Sequence, residues 1–94
     1  MASFTTRVEL HNASSKDYET LHAAMERAGF SRVIRSDEGR WYHLPTAEYD
    51  CSGSLTQRQV LKAAESAAAT TGKGFGVIVT ESAGRTWSNL PAAE

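Results

Sequence analysis

The chain has 94 residues, of which 40% are hydrophobic and 22% charged, and its net charge is −1. That length fits one domain, residues 1–94, with a modest core, and the charge balance argues against strong non-specific binding to nucleic acid, which needs a basic surface. Its single cysteine, Cys51, excludes an internal disulfide, and no apolar run approaches the roughly 20 residues of a membrane span. A reducing cytoplasmic setting with no membrane partner is therefore expected, the more so because Met1–Arg7 lacks an apolar leader.

Residues 4–10 alternate: Phe4, Thr6, Val8 and Leu10 fall on one face, Thr5, Arg7, Glu9 and His11 on the other. This predicts a half-buried strand. Asn12-Ala13-Ser14-Ser15 breaks it, and Ser14 with Asp17 forms a helix-start signal. Tyr18, Leu21, Met25 and Ala28 then recur at helical spacing over residues 15–28, with Gly29 at the expected C-cap. A second strand is predicted over 30–35, with Phe30 and Ile34 inward. Asp37-Glu38-Gly39 reads as a hairpin turn, and Trp41 to Leu44 as a third strand.

Pro45 lacks the donor a central strand needs, so the third strand is expected to be irregular and to resume around Ala47–Tyr49. Cys51-Ser52-Gly53-Ser54 reads as a loop. Either Ser54 with Gln57 or Thr56 with Gln59 can cap a second helix over 55–71, whose buried stripe is Val60, Leu61, Ala64 and Ala68. Phe75 to Thr80 is the last strand. Residues 84–94 form a tail expected to be partly ordered, with Trp87 and Leu90 hooking back on the domain.

The order strand–helix–strand–strand–helix–strand predicts an α+β fold, a ferredoxin-like βαββαβ sandwich. Its four-stranded antiparallel sheet would carry both helices on one face. With the first and third strands adjacent, the open face would collect Arg7, Glu9, His11, Trp41 and His43. An exposed aromatic among cations suits single-stranded RNA, whose bases stack on rings while phosphates meet the charges. Trp41, Arg7, Arg35 and Arg40 are the candidate RNA-binding residues. His11 and His43 are the candidate catalytic pair, able to divide acid and base roles at a 2′-hydroxyl. The ordinary alternatives are that Trp41 is covered by a second copy or by the tail, that the histidines are structural, and that the arginines form solvated ion pairs.

His22 reads as a boundary residue. No His/Cys spacing resembles a metal site, Lys73 lacks a phosphate-loop context, and Cys51 lacks an activating motif, so neither metal nor cofactor is expected.

Several segments resemble a family. Val8-Glu9-Leu10-His11-Asn12-Ala13, Asp17-Tyr18, Leu21-His22-Ala23-Ala24-Met25, Gly29-Phe30-Ser31-Arg32, Tyr42-His43-Leu44-Pro45, Ala47-Glu48-Tyr49, Thr71-Gly72-Lys73 and Trp87-Ser88 are similar to small bacterial proteins grouped with the GhoS-type antitoxins of type V toxin–antitoxin systems. The resemblance implies a ferredoxin-like fold related to small CRISPR-associated nucleases and, for GhoS itself, endoribonuclease activity on a toxin message. Those nucleases place a metal-binding aspartate at the end of the first strand, where this chain has Glu9-Leu10-His11-Asn12. Any cleavage is therefore expected to be metal-independent.

Three functions follow. The first is a GhoS-like RNA-binding protein or endoribonuclease of antitoxin type, acting on single-stranded RNA through the open sheet face, with no DNA partner expected. The second is a non-catalytic homodimeric interaction module. The third is a small-molecule regulatory domain.

Overall fold

The computed structural model describes residues 1–93 as an α+β fold with the order β1 (Ala2–Leu10), α1 (Ser15–Arg27), β2 (Val33–Arg35), β3 (Trp41–His43), β4 (Glu48–Gly53), α2 (Gln57–Ala69) and β5 (Phe75–Glu81). β1 is the centre of an antiparallel three-stranded sheet of order β4-β1-β5. β2 and β3 form a separate two-stranded hairpin.

The helices start where the sequence places them. Ser14 and Asp17 form a reciprocal capping box on α1, and Thr56 with Gln59 forms the one on α2, which decides between the two expected caps. α1 ends in a Schellman motif: the Phe30 amide donates to Met25 O (3.0 Å) and the Gly29 amide to Glu26 O (3.1 Å). Gly29 sits there at φ +97°, a conformation that strains any residue with a Cβ.

The even-numbered residues of β1, from Phe4 to Leu10, are buried against the helices with Leu21, Met25, Val60 and Ala64. α2 packs across β1 and β5, its small Ala64, Ala67 and Ala68 allowing close approach. Leu61 is only half-buried and Ala28 is exposed, so both leave the expected stripes.

The third strand needs correction. Residues 41–44 do not pair with β1; Trp41–His43 pairs only with β2. The central partner of β1 is β4, which includes Cys51, Ser52 and Gly53, the residues expected to form a loop. Between β3 and β4 the chain makes a turn closed by the Glu48 amide on Pro45 O (3.0 Å). Ala47 lies in this turn at φ +65°, a left-handed backbone that costs an alanine about 1 kcal/mol. Burial of Ala47 and a bond from the Val8 amide to its carbonyl (3.1 Å) hold it there. Pro45 therefore divides two strands where the sequence reading had one irregular strand.

The two sheets communicate through an antiparallel bridge in which Ser31 and Asp50 exchange amide–carbonyl bonds of 2.8 Å each. The second strand is thus shorter than expected, with Phe30 capping the α1 end and Ser31 reaching β4. No described helix is long and apolar enough to cross a membrane.

Candidate nucleic-acid interface

The register of β2 on β3 pairs Arg35 with Trp41 and Val33 with His43. Strand alternation therefore sets Arg35, Trp41, Val33 and His43 on one face of the hairpin, and Ile34 and Tyr42 on the other. The Arg35 guanidinium lies over the Trp41 ring, 5.9 Å from its centroid, within cation–π range. Trp41 remains 43% exposed and His43 is also exposed. Arg40, exposed at the hairpin turn, is fixed by its backbone: the Ser36 amide donates to Arg40 O (2.8 Å) and the Arg40 amide to Ser36 Oγ (3.2 Å).

The C-terminal tail holds this hairpin from its other side. Trp87 meets Tyr42 edge-on with ring centroids 5.6 Å apart. The His43 amide donates to Pro91 O (2.9 Å) and the Ala93 amide to Trp41 O (3.0 Å), so the tail runs beside β3 as a third ribbon. A groove of about 730 Å³ opens between the hairpin turn and residues 82–87, with Arg35, Asp37, Glu38 and Arg85 supplying charges of both signs.

The uncovered face of the three-stranded sheet is different. Arg7 lies between Glu48 on β4 and Ile78 on β5, and Thr5 between Asp50 and Thr80. Arg85 reaches onto this face from the tail, its Nη1 donating to Asp50 Oδ1 (2.6 Å) and Thr5 Oγ1 (3.2 Å). This half-buried ion pair was not visible in the sequence, because nothing local relates residues 5, 50 and 85.

The six expected site residues therefore divide. Arg35, Trp41 and His43 share one hairpin face, with Arg40 at its turn, whereas Arg7 and His11 belong to β1 and its end in the other sheet. His11 is anchored through its amide to Gly74 O (2.8 Å), and its Nε2 lies 3.8 Å from Glu9 Oε1. No strand pairing joins His11 to His43.

The other histidine is more deeply placed than expected. His22 is only 9% exposed, and its Nδ1 is 2.7 Å from the hydroxyl of the fully buried Tyr49. Burial pushes the Tyr49 hydroxyl pKa up to about 12, so Tyr49 keeps its proton beside the His22 ring. Burial, and then the Arg32 charge, lower the His22 pKa, which keeps the imidazole neutral. Burial and the neighbouring Asp50 likewise raise the Cys51 thiol pKa, the opposite of what an attacking cysteine needs. Among the described residues no cluster of His, Cys, Asp and Glu is arranged to hold a metal ion.

No protein-family model and no curated protein matches this chain.

Proposed function

We propose that this protein binds single-stranded RNA in the manner of a GhoS-like antitoxin, and that the binding surface is the β2–β3 hairpin rather than the uncovered face of the larger sheet. The observation that carries the reading is the half-exposed Trp41 ring with Arg35 above it and His43 on the same face. A base can stack on such a ring while Arg35 and Arg40 meet the flanking phosphates. Near-neutral net charge suits a protein that relies on one local platform rather than a basic groove. In this arrangement the cleavage that the GhoS resemblance implies falls to His43 without His11. His43 takes the proton of the RNA's 2′-hydroxyl as that oxygen attacks the adjacent phosphorus, the P–O5′ bond breaks to leave a 2′,3′-cyclic phosphate, and water protonates the departing 5′-oxygen.

The same reading includes a ferredoxin-like origin for the fold. Adding β2 through the Ser31–Asp50 bridge gives the order β5-β1-β4-β2, the order of that four-stranded sheet, with β3 as an inserted strand. The resemblance at Val8–Ala13 and Tyr42–Pro45 supports it as well.

Fluorescence titration of a Trp87→Phe protein with a mixed single-stranded RNA pool tests the proposal, since Trp41 is then the only reporter. Quenching on binding is expected. Trp41→Ala, its affinity read by gel shift because the fluorescent reporter is gone, should weaken binding by about 1–3 kcal/mol, the worth of one stacked base. Unchanged affinity in Trp41→Ala would remove the platform. A gel assay run with and without EDTA reports cleavage and its metal dependence.

A further inference from the structure

We infer that the free edge of β5 is a self-association surface that pairs with β5 of a second copy, giving a two-fold dimer with one continuous six-stranded sheet. This rests on the other end of the sheet from the RNA platform and is independent of that reading. β5 has β1 on one side and no strand on the other among the described residues. The bonds from the His11 amide to Gly74 O and from the Ser82 amide to Ser3 O bracket the β1–β5 ladder and fix its phase. By antiparallel alternation the even-numbered residues of β5 bond to β1. Phe75, Val77, Val79 and Glu81 therefore turn their amides and carbonyls outward, unpaired.

An edge of this kind is normally protected by an inward charge, a proline or a bulge. Phe75-Gly76-Val77-Ile78-Val79 has none of these. Instead Ile78 stands 63% exposed, and a groove of about 520 Å³ runs beside the edge between Val77–Val79 and the start of α2, where Thr56, Gln57 and Arg58 line it with Leu61.

The occupant is identified by the strand's own complementarity. A two-fold pairing centred on Val77 sets Phe75 opposite Val79 on the helix side. On the other side it sets Ile78 over Gly76, where a Cβ would meet nothing within 4 Å. It also sets Lys73 of each copy opposite Glu81 of the other, an opposite-charge pair at both ends. Registers shifted by one pair in either direction, centred on Gly76 or Ile78, lose that charge match. Lys73 already has Asp17 at 3.9 Å, a loose and half-exposed contact that leaves ammonium protons for a second carboxylate. About six backbone hydrogen bonds form across residues 75–79 in this register, because all three outward residues exchange bonds.

Sedimentation velocity over a broad concentration range, with amide exchange by NMR, tests this in the full chain. A reversible dimer is expected, with the Val77 and Val79 amides becoming protected as concentration rises. Glu81→Lys, which sets lysine against lysine twice, should weaken association by roughly tenfold or more. The double variant Lys73→Glu/Glu81→Lys should restore it, a rescue that simple misfolding could not produce. Ile78→Lys, at an exposed position, should also yield monomer with unchanged far-UV dichroism. A monomer at every concentration overturns the inference, as does a dimer indifferent to Glu81→Lys or not restored by the charge swap.

Discussion

Beneath α1 and α2, β1 seals Phe4, Thr6, Val8 and Leu10 away from water, and Tyr49 of β4 is fully buried beside them. Across the Ser31–Asp50 bridge, the β2–β3 hairpin buries only Ile34 among its strand residues. The first region is held by side-chain burial; the second is held by backbone bonds to the tail and one edge-on aromatic pair. The difference separates two tasks. A buried apolar sheet needs no ligand and supplies the stability of the domain. A ribbon that leaves Trp41, Arg35 and His43 at the surface is poorly stabilised by its own packing, and for that reason has aromatic and cationic surface free for a partner.

The contrast is most easily broken by mutation of each region in turn. Met25→Ala, in the sealed core, should lower global stability by about 2–5 kcal/mol, read as a fall in denaturation midpoint by every probe together. Thermal loss confined to one probe would mean that the two regions unfold separately. Trp87→Ala, in the strap, should cost about 1 kcal/mol and act locally. The amides of His43 and Ala93 should lose exchange protection while that of Val8 keeps it. Equal loss at all three would show that hairpin and sheet form a single cooperative unit.

Thr6→Val should act in the opposite direction. Thr6 Oγ1 is buried without a hydrogen-bond partner, so its replacement by a methyl should stabilise the sheet region by up to about 1 kcal/mol. Destabilisation would reveal a partner that the hydroxyl serves.

The smallest effect concerns pH. The folded state holds the His22 pKa below its ordinary value through burial, so the unfolded chain binds more protons as pH falls through that ordinary value, 6.5. The His22 contribution to stability is therefore fully present above the ordinary value. It is lost progressively as pH drops through it, levelling off below the lowered folded value. His22→Gln should flatten this slope in a pH series of denaturant midpoints; an unchanged slope would assign it to other groups.

Much of the fold was legible because the relevant signals are local. Alternation in Phe4–Leu10, helical spacing from Tyr18 to Met25 and the Ser14/Asp17 box each act within a few residues. The segment from His43 to Gly53 was less legible. Its turn depends on Ala47 in a left-handed conformation, which an alanine does not announce, and the Ser-Gly content of β4 resembles a loop. What admits those residues to a strand is pairing with Ala2–Arg7, a tertiary effect. The candidate site divided for the same reason. Which residues face outward on each strand followed from alternation, but which strands are neighbours did not, so Trp41 and His43 were grouped with Arg7 and His11 when they belong with Arg35. The Arg85 link to Asp50 and Thr5 joins distant parts of the chain and left no pattern in the sequence.

Backbone amide shifts of isotopically labelled protein, followed while a single-stranded RNA pool is added at low salt, test the central claim most directly. The account predicts shifts concentrated at Val33–Arg35 and Arg40–His43, with Arg7 and Ile78 on the larger sheet unmoved. Shifts centred on Arg7 and its strand neighbours, or none at all near millimolar RNA, would contradict it.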